Sequence, residues 1–205
     1  MKRDKHKMAV KSRVLEVAKQ LFIAQGYSKT TIKEITQKAE ITTGSLYHFF
    51  KDKEDILLHM TQEVFDLAAT MSDDILGQDN DPWLRLSLEI ALQFNLILSH
   101  GPIGELYLLS YESEAISRYI VQRAQARNQD MFQASLPHVT HDEFYIMCLA
   151  IKGILHSFIQ DALYNKKHGG PMVIYRALDM VLLIFQIPKG RLDGVISKTH
   201  ALIPK

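Results

Sequence analysis

The 205-residue chain has one cysteine, Cys148, and it has no long apolar run. A single cysteine excludes an internal disulfide and a cysteine-based zinc cluster. The uncharged stretch in residues 90–104 is too short and too polar to span a bilayer, which needs about 20 apolar residues. No apolar segment typical of a signal peptide follows the basic N-terminal residues. We therefore expect a cytoplasmic protein with no membrane partner.

Signatures of enzymes and metalloproteins are also missing from the sequence. It contains neither a glycine-rich phosphate loop nor a G-x-S-x-G elbow. His138 and His141 have the spacing of a metal pair on a helix, but they lie in a proline-containing loop and cap without a third ligand. We expect no catalytic residue, no metal and no cofactor, and an enzyme built on a helical body is the less favoured class.

Charge is distributed unevenly, although the net charge is only +1. Residues 1–53 contain 12 Lys and Arg against 5 Asp and Glu, which gives +7. The remaining residues contain 12 against 18, which gives −6. Because a local excess of positive charge attracts polyanions, nucleic acid or an anionic membrane surface is the first partner to consider for the N-terminal part.

Hydrophobic spacing is helical along almost the whole chain and predicts about nine helices. Gly26 ends helix one, and capping boxes at Thr31 and Thr140 begin helices two and eight. Pro82 opens helix five. We expect the tail after Pro188 to be loosely ordered. The pattern therefore predicts an all-α fold.

Residues 31–57 contain two short helices joined by a tight turn, the pattern of a helix-turn-helix unit. Ile35, Ala39 and Leu46 would pack on helix one. The outer face of helix three would stay polar, so this helix is expected to enter the major groove of double-stranded DNA.

The run from Thr31 to Leu57 resembles the DNA-binding domain of the TetR family of one-component transcriptional regulators. The matching positions are Thr31, Ile35, Ala39, Gly44, Leu46, Tyr47, Phe50, Lys53 and Glu54. With the apolar stripe of helix one and Gly26, the resemblance covers about residues 9–57. It implies an all-α homodimer with a three-helix DNA-binding head, residues 1–53, and a larger helical effector-binding and dimerisation body, residues 54–205.

The resemblance also implies which residues contact DNA. Base and groove contacts are Lys33, Thr43, Gly44, Ser45 and Tyr47, phosphate contacts are Thr31, Tyr47 and Lys53, and His48 is a further candidate. His48 is included because Phe49 stands where family members often have His or Tyr, and Phe cannot donate a hydrogen bond to a phosphate.

Each of these assignments has a structural alternative. Thr31 is either a helix cap alone or a cap that also contacts phosphate, and Tyr47 is either a DNA contact or a core residue. The basic arm formed by Lys2, Arg3, Lys5 and Lys7 is either a groove-reaching arm or a solvated tail.

An apolar effector pocket is expected among helices five to eight, because aromatic and sulfur-containing side chains are dense there. Polar residues that would line it are Asn95, Tyr107, Tyr111, Arg123, Lys152 and His156. Ordinary core packing and a solvated polar stripe on helix eight are the alternatives.

Helices eight and nine are expected to form the dimer interface, as the resemblance implies and as their broad apolar faces require. The residues assigned to it are Ile151, Leu155, Phe158, Leu178, Val181, Leu182 and Phe185. Together these expectations describe a regulator, by resemblance a repressor, that binds a palindromic operator as a homodimer and is released by a small, largely apolar effector. A regulator without an effector and an activator stay open.

Overall fold

The computed structural model describes residues 2–98, 101–165 and 171–203. All regular elements in these ranges are α-helices, which confirms the predicted fold class. They are α1 (Lys2–Gln25), α2 (Ile32–Lys38), α3 (Thr43–Tyr47), α4 (Lys53–Leu76), α5 (Pro82–Leu98), α6 (Gly101–Glu112), α7 (Glu114–Phe132), α8 (His141–Tyr164), α9 (Pro171–Ile184) and α10 (Leu192–Leu202). Residues 166–170, where the predicted helices eight and nine meet, lie outside the described residues.

Helices α1 to α3 surround one apolar core. Val14, Ala18 and Phe22 follow one face of α1 and are fully or almost fully buried. Ile35 of α2 and Leu46 of α3 are also completely buried in this cluster. Because the apolar side of α3 faces this core, its opposite side is presented to solvent.

The turn between α2 and α3 is a Schellman motif. The backbone N–H of Glu40 donates to the carbonyl of Gln37 at 3.2 Å, and that of Ile41 donates to the carbonyl of Thr36 at 3.0 Å. Glu40 has a φ of 54°, in the left-handed region that favours glycine. A non-glycine residue in this conformation costs about 1 kcal/mol, so the tight turn is held by its surroundings.

Helix α5 is the central element of the larger body, and it is buried on nearly all sides. The indole Nε1 of Trp83 donates to the carbonyl of Phe185 at 2.8 Å. The ring of Phe132 lies 5.6 Å from Trp83 and 4.6 Å from Phe185, measured between centroids. These aromatic side chains therefore belong to the core that joins α5, α7 and the end of α9.

Helix α4 runs from the first three helices into the body. The hydroxyls of Thr61 on α4 and Ser110 on α6 are hydrogen-bonded at 2.8 Å in a buried position. The hydroxyl of Ser113, the N-cap of α7, donates to Oε1 of Glu54 at 2.6 Å. Helix α4 is therefore tied at two points to α6 and to the corner between α6 and α7.

The expectation of a loosely ordered C-terminal tail is wrong, because α10 packs against α5 and α9. Val195 and Thr199 are buried, and the Thr199 hydroxyl is hydrogen-bonded to Ser87 of α5. Lys198 Nζ donates to Asp79 at 2.7 Å. The four-residue spacing of the two buried residues, after Gly190, was the available sequence signal.

Candidate DNA-binding surface and effector cavity

The predicted recognition helix α3 is presented on the surface of the head. Thr43, Gly44 and His48 are exposed, Tyr47 has 53% of its surface exposed, and Ser45 is half-buried. The exposure of Tyr47 removes the alternative that it is a core residue. These five predicted DNA contacts thus share one accessible end of the head.

Nothing within the described structure requires a glycine at position 44. A Cβ added there would meet only the Oγ1 of Thr42, at an ordinary contact distance of 3.9 Å. Its φ is not in the left-handed region. A glycine at an exposed helical position costs about 0.5–1 kcal/mol relative to alanine, so its benefit is expected to come from the close approach of a partner.

Thr31 and Lys33 lie at the start of α2, and both are exposed. The Thr31 Oγ1 accepts from the Glu34 backbone at 3.2 Å, while the Thr31 backbone N–H and hydroxyl each donate to Glu34 Oε2 at 2.7 Å. These hydrogen bonds from Thr31 lower the pKa of the Glu34 carboxyl. The predicted capping role of Thr31 is therefore fully formed within the head.

Lys53 is directed toward the turn after α1. Its Nζ donates to the carbonyls of Tyr27 at 2.7 Å and Thr30 at 2.9 Å, and it lies 4.3 Å from the centroid of the Tyr27 ring. Desolvation lowers the pKa of this ammonium. The ammonium has three donors, so one stays available for a phosphate while two hold the start of α4 against the head.

An open groove separates the first half of α1 from the turn before α3. His6, Lys7 and Arg13 line one side of the groove, and Ser45 and His48 line the other. Of the basic arm considered in the sequence, Lys7 is exposed, whereas the side chains of residues 2–5 lie outside the described part of the structure.

The body contains a cavity of about 70 Å³ lined mainly by α5, α7 and α8, with Phe65 of α4 and Tyr111 of α6. We call it the effector cavity because it lies where the sequence analysis expects an effector. Tyr111, Arg123 and Lys152 line it, as the sequence analysis expected. The ring of His156 stacks on Tyr111 at a centroid distance of 5.9 Å, and the Tyr107 hydroxyl is hydrogen-bonded to that of Tyr111. Burial raises the pKa of both tyrosines, so both phenols are neutral.

The other three predicted effector contacts, Asn95, Tyr107 and His156, do not line the cavity, and Asn95 is exposed on α5. Glu89, by contrast, lines the cavity with only 6% of its surface exposed. Its carboxylate accepts two hydrogen bonds from Arg127, from Nε at 2.9 Å and from Nη2. Sequence reasoning missed Arg127, for which the four-residue spacing from Arg123 was the only signal.

A second cavity, of about 200 Å³, lies where the head meets the body. Its walls come from α1, α4, α5 and α6 and include the hydrogen-bonded pair Thr61 and Ser110. Tyr107 lines this junction cavity rather than the effector cavity. No pattern in the sequence indicated it.

The residues predicted to form the dimer interface are mostly inside the chain, which corrects that assignment. Leu178, Val181, Leu182 and Phe185 have 0% of their surface exposed. Ile151 and Leu155 are also buried and line the effector cavity, and Phe158 is half-buried. Because α8 and α9 are apolar on more than one side, their periodicity does not indicate which side faces outward.

A different set of apolar side chains on the same two helices is exposed. It consists of Tyr145, Ile146, Leu149 and Tyr164 on α8 and Met180 and Leu183 on α9, with exposures between 39% and 62%. We call these residues the outer apolar face. By length and composition alone, helix α8 could span a membrane. Its most apolar 18-residue window has a mean hydropathy of 1.4, and 22% of that window is buried inside the chain.

Comparisons with known proteins place this geometry in context. Residues 14–60 match the model of "Bacterial regulatory proteins, tetR family". The chain is 27% identical over 152 residues to the transcriptional regulator HbdR of Aromatoleum sp. (strain CIB), covering 71% of this chain and 66% of HbdR. It is 31% identical over 87 residues to the repressor KstR2 of Mycobacterium tuberculosis, covering 42% and 44%. The chain thus spans less than two thirds of either relative.

Similarity in fold extends further than similarity in sequence. The structure of RolR in complex with its ligand resorcinol aligns with 98% of this chain and 98% of its own, with a TM-score of 0.70 at 17% identity. These similar proteins are DNA-binding regulators rather than enzymes.

Proposed function

Residues 14–60 match the TetR family of bacterial regulatory proteins, and on that premise we propose that the chain is a regulator of this family. It would regulate transcription by binding double-stranded operator DNA as a homodimer under the control of a small molecule. The observation that supports DNA binding is the accessible end of α3. There, four polar or aromatic residues and Gly44 lie over the buried core of the head, in a part of the chain with a net charge of +7. Residues 1–53 would bind DNA, and residues 54–205 would dimerise and bind the effector.

A single head is too small to select an operator. Helix α3 has five residues and touches few base pairs. Two heads related by a two-fold axis would bind two half-sites about one helical turn apart on a palindromic operator. Regulators of this family bind operator DNA as dimers.

The outer apolar face supports the assignment of the dimer contact to α8 and α9. Several large apolar side chains exposed on two helices that pack together are the kind of surface that a partner often covers. A second copy covers it better than a bilayer does, because α8 also carries Asp142, Glu143, Lys152 and Asp161, and charged side chains are costly within lipid. Gly153 is exposed among these residues with nothing within 4 Å of an added Cβ, so a partner helix can approach closely.

Contacts along α6 support control by a ligand. Tyr111 of α6 lines the effector cavity, and its hydroxyl is hydrogen-bonded to that of Tyr107 one turn away. The adjacent Ser110 is hydrogen-bonded to Thr61 of α4. Ser113 at the following corner holds Glu54 at the start of α4. A ligand that displaces α6 would therefore move α4 and the heads, and it would release the operator if it prefers the displaced state.

The test is selection of bound DNA from a random pool with the full chain, followed by titration of the selected duplex. We expect a palindromic site bound by two copies. Gly44→Ala should raise the unfolding temperature, because alanine is the better helix former, yet weaken operator binding by closing off the approach to DNA.

Several outcomes would contradict this proposal. Selection without a symmetric site, or Gly44→Ala with unchanged affinity, would contradict the assignment of α3 as the recognition helix. Gly194→Ala, which makes the same change at an exposed position of α10 with nothing within 4 Å of an added Cβ, is the control. Reporter genes carrying the selected operator distinguish repressor from activator, and operator binding that no cavity ligand alters would favour a regulator without an effector.

A further inference from the structure

The effector cavity contains more positive than negative charge. The ionised side chains that line it are Glu89, Arg123, Arg127 and Lys152. Three cations against one carboxylate give a net charge of +2 at the cavity wall. The remaining wall is largely apolar, with Leu86, Ile90, Val121 and Leu155 among its members.

The two arginines have carboxylate partners within the chain. Arg127 donates twice to the buried carboxylate of Glu89, so this pair is locally neutral. Arg123 donates to Asp66, whose side chain is 65% exposed, and to the Tyr119 hydroxyl at 3.2 Å. Among the described residues, the carboxylate partner of Arg123 is therefore a solvated one that does not line the cavity.

Lys152 differs from both arginines. Among the described residues it forms no ion pair, and its Nζ lies 5.8 Å from the centroid of the Tyr111 ring. Its neighbours one turn away on α8, Cys148 and His156, supply no negative charge. A half-buried ammonium beside an apolar wall is stabilised most by an anion that it can hydrogen-bond.

We propose that the effector is an amphipathic monoanion, a carboxylate on a compact apolar body, whose carboxylate binds Lys152 with support from Arg123. The apolar part would pack against Val121 of α7 and Leu155 of α8. This inference rests on the proposed function, because it names the ligand class of the same cavity. It narrows the apolar effector expected from the sequence to one that carries a negative charge.

The size of the cavity adds a condition on binding. A cavity of about 150 Å³ holds benzene in a protein core, whereas this one measures about 70 Å³. A ligand with a ring or a short chain must therefore separate α7 or α8 from α5. The ligand would then bind an expanded conformation of the body more tightly than the compact one. Such a difference in affinity between two conformations is what control of DNA binding by a ligand requires.

The experiment compares probes that differ only in charge. Benzoate, benzamide and benzylammonium form one series, and octanoate, octanamide and octylammonium form a second with a longer apolar body. Dissociation constants are measured by calorimetry on the full chain in chloride buffer. In at least one of the two series, we expect the carboxylate to bind about tenfold or more tightly than its amide, and the ammonium to bind most weakly.

Variants assign that preference to one side chain. Lys152→Met keeps the length and apolar stem but removes the charge, so the ratio of amide to carboxylate dissociation constants should fall to near one. Lys152→Arg should retain the preference. Lys189→Met removes an exposed lysine outside the cavity and should leave the ratio unchanged.

Two results would overturn the inference. One is a carboxylate that binds no more tightly than its amide in both series, including a failure to bind at all. The other is a Lys152→Met variant that keeps the preference for the carboxylate. Titration of the selected operator tests the proposed function separately. An anion that binds through Lys152 but leaves the affinity for DNA unchanged would refute control of DNA binding by that ligand, and it would still support the proposed ligand class.

Discussion

Adjacent leucines on α9 separate the stability of the chain from its assembly. Leu182 is completely buried in the core, whereas Leu183 has 60% of its surface exposed on the outer apolar face. Leu182→Ala should lower the free energy of unfolding by about 2–5 kcal/mol, because it leaves a cavity in a packed core. Leu183→Ala should change that of the isolated chain by less than about 0.5 kcal/mol.

The effect of Leu183→Ala on assembly follows from its exposure. Full burial of a leucine side chain is worth about 1.5–3 kcal/mol, and covering the exposed 60% of Leu183 is worth about 1–2 kcal/mol per copy. A two-fold interface contains the residue twice. The dimer should therefore be weakened by about 2–4 kcal/mol, or about 30- to 700-fold in its dissociation constant.

Sedimentation equilibrium over a range of protein concentrations measures dimerisation, and urea unfolding at a fixed low concentration measures stability. Leu67→Ala is the matched control, because Leu67 is 49% exposed on α4 and lies outside the outer apolar face. The reasoning would be refuted if Leu183→Ala left the dimer unchanged. It would also fail if Leu182→Ala dissociated the dimer without lowering the unfolding free energy.

Three further predictions concern the head. Lys53→Met should lower its unfolding free energy by about 1–2 kcal/mol, through the lost hydrogen bonds to Tyr27 and Thr30. It should also make the slope of log binding constant against log salt shallower by about 0.9. Glu40→Gly should raise the unfolding free energy by about 1 kcal/mol, because glycine adopts the observed φ of 54° without strain. Glu34→Gln should reduce the acid sensitivity of the melting temperature, measured from pH 7 to 3, because glutamine keeps the capping box but does not titrate. The folded-state pKa of Glu34 is below its ordinary 4.5, so its contribution is present above pH 4.5 and lost as pH falls through that lowered pKa.

Each of these predictions has a result that would contradict it. An unchanged salt slope for Lys53→Met would remove that ammonium from the DNA interface and leave only its contact with the head. A lower melting temperature for Glu40→Gly than for the unaltered chain would mean that the Glu40 side chain stabilises the head by more than its left-handed backbone conformation costs. Equal acid sensitivity for Glu34→Gln and the unaltered chain would assign the acid loss to other carboxylates.

Local features of the head were predictable because each depends on residues close together in the chain. The Thr31 capping box and the stop at Gly26 are both formed within one or two turns of the residues that specify them. The same locality made α3 recognisable from its motif.

The features that sequence reasoning missed depend on partners far along the chain. Leu182 and Leu183 are neighbours of the same type, and only packing against α5 and α8 decides which one is buried. The partner of Arg127 is Glu89, 38 residues away. The order of α10 depends on Ser87, 112 residues from Thr199. A helical period gives the apolar sides of a helix but not the element that covers each side.

The two points at which α4 is tied have a geometric consequence for the heads. Glu54 and Thr61 are seven residues apart, which corresponds to about 10.5 Å along a helix. If the α6–α7 corner shifts by about 1 Å at one point while the other stays fixed, the axis of α4 tilts by about 5° over that length. In the proposed dimer both copies tilt, so the angle between the two heads changes by up to about 10°. A displacement smaller than a bond length inside the body would thus become an angular mismatch with a rigid duplex, and distances between spin labels on the two α3 helices would detect it.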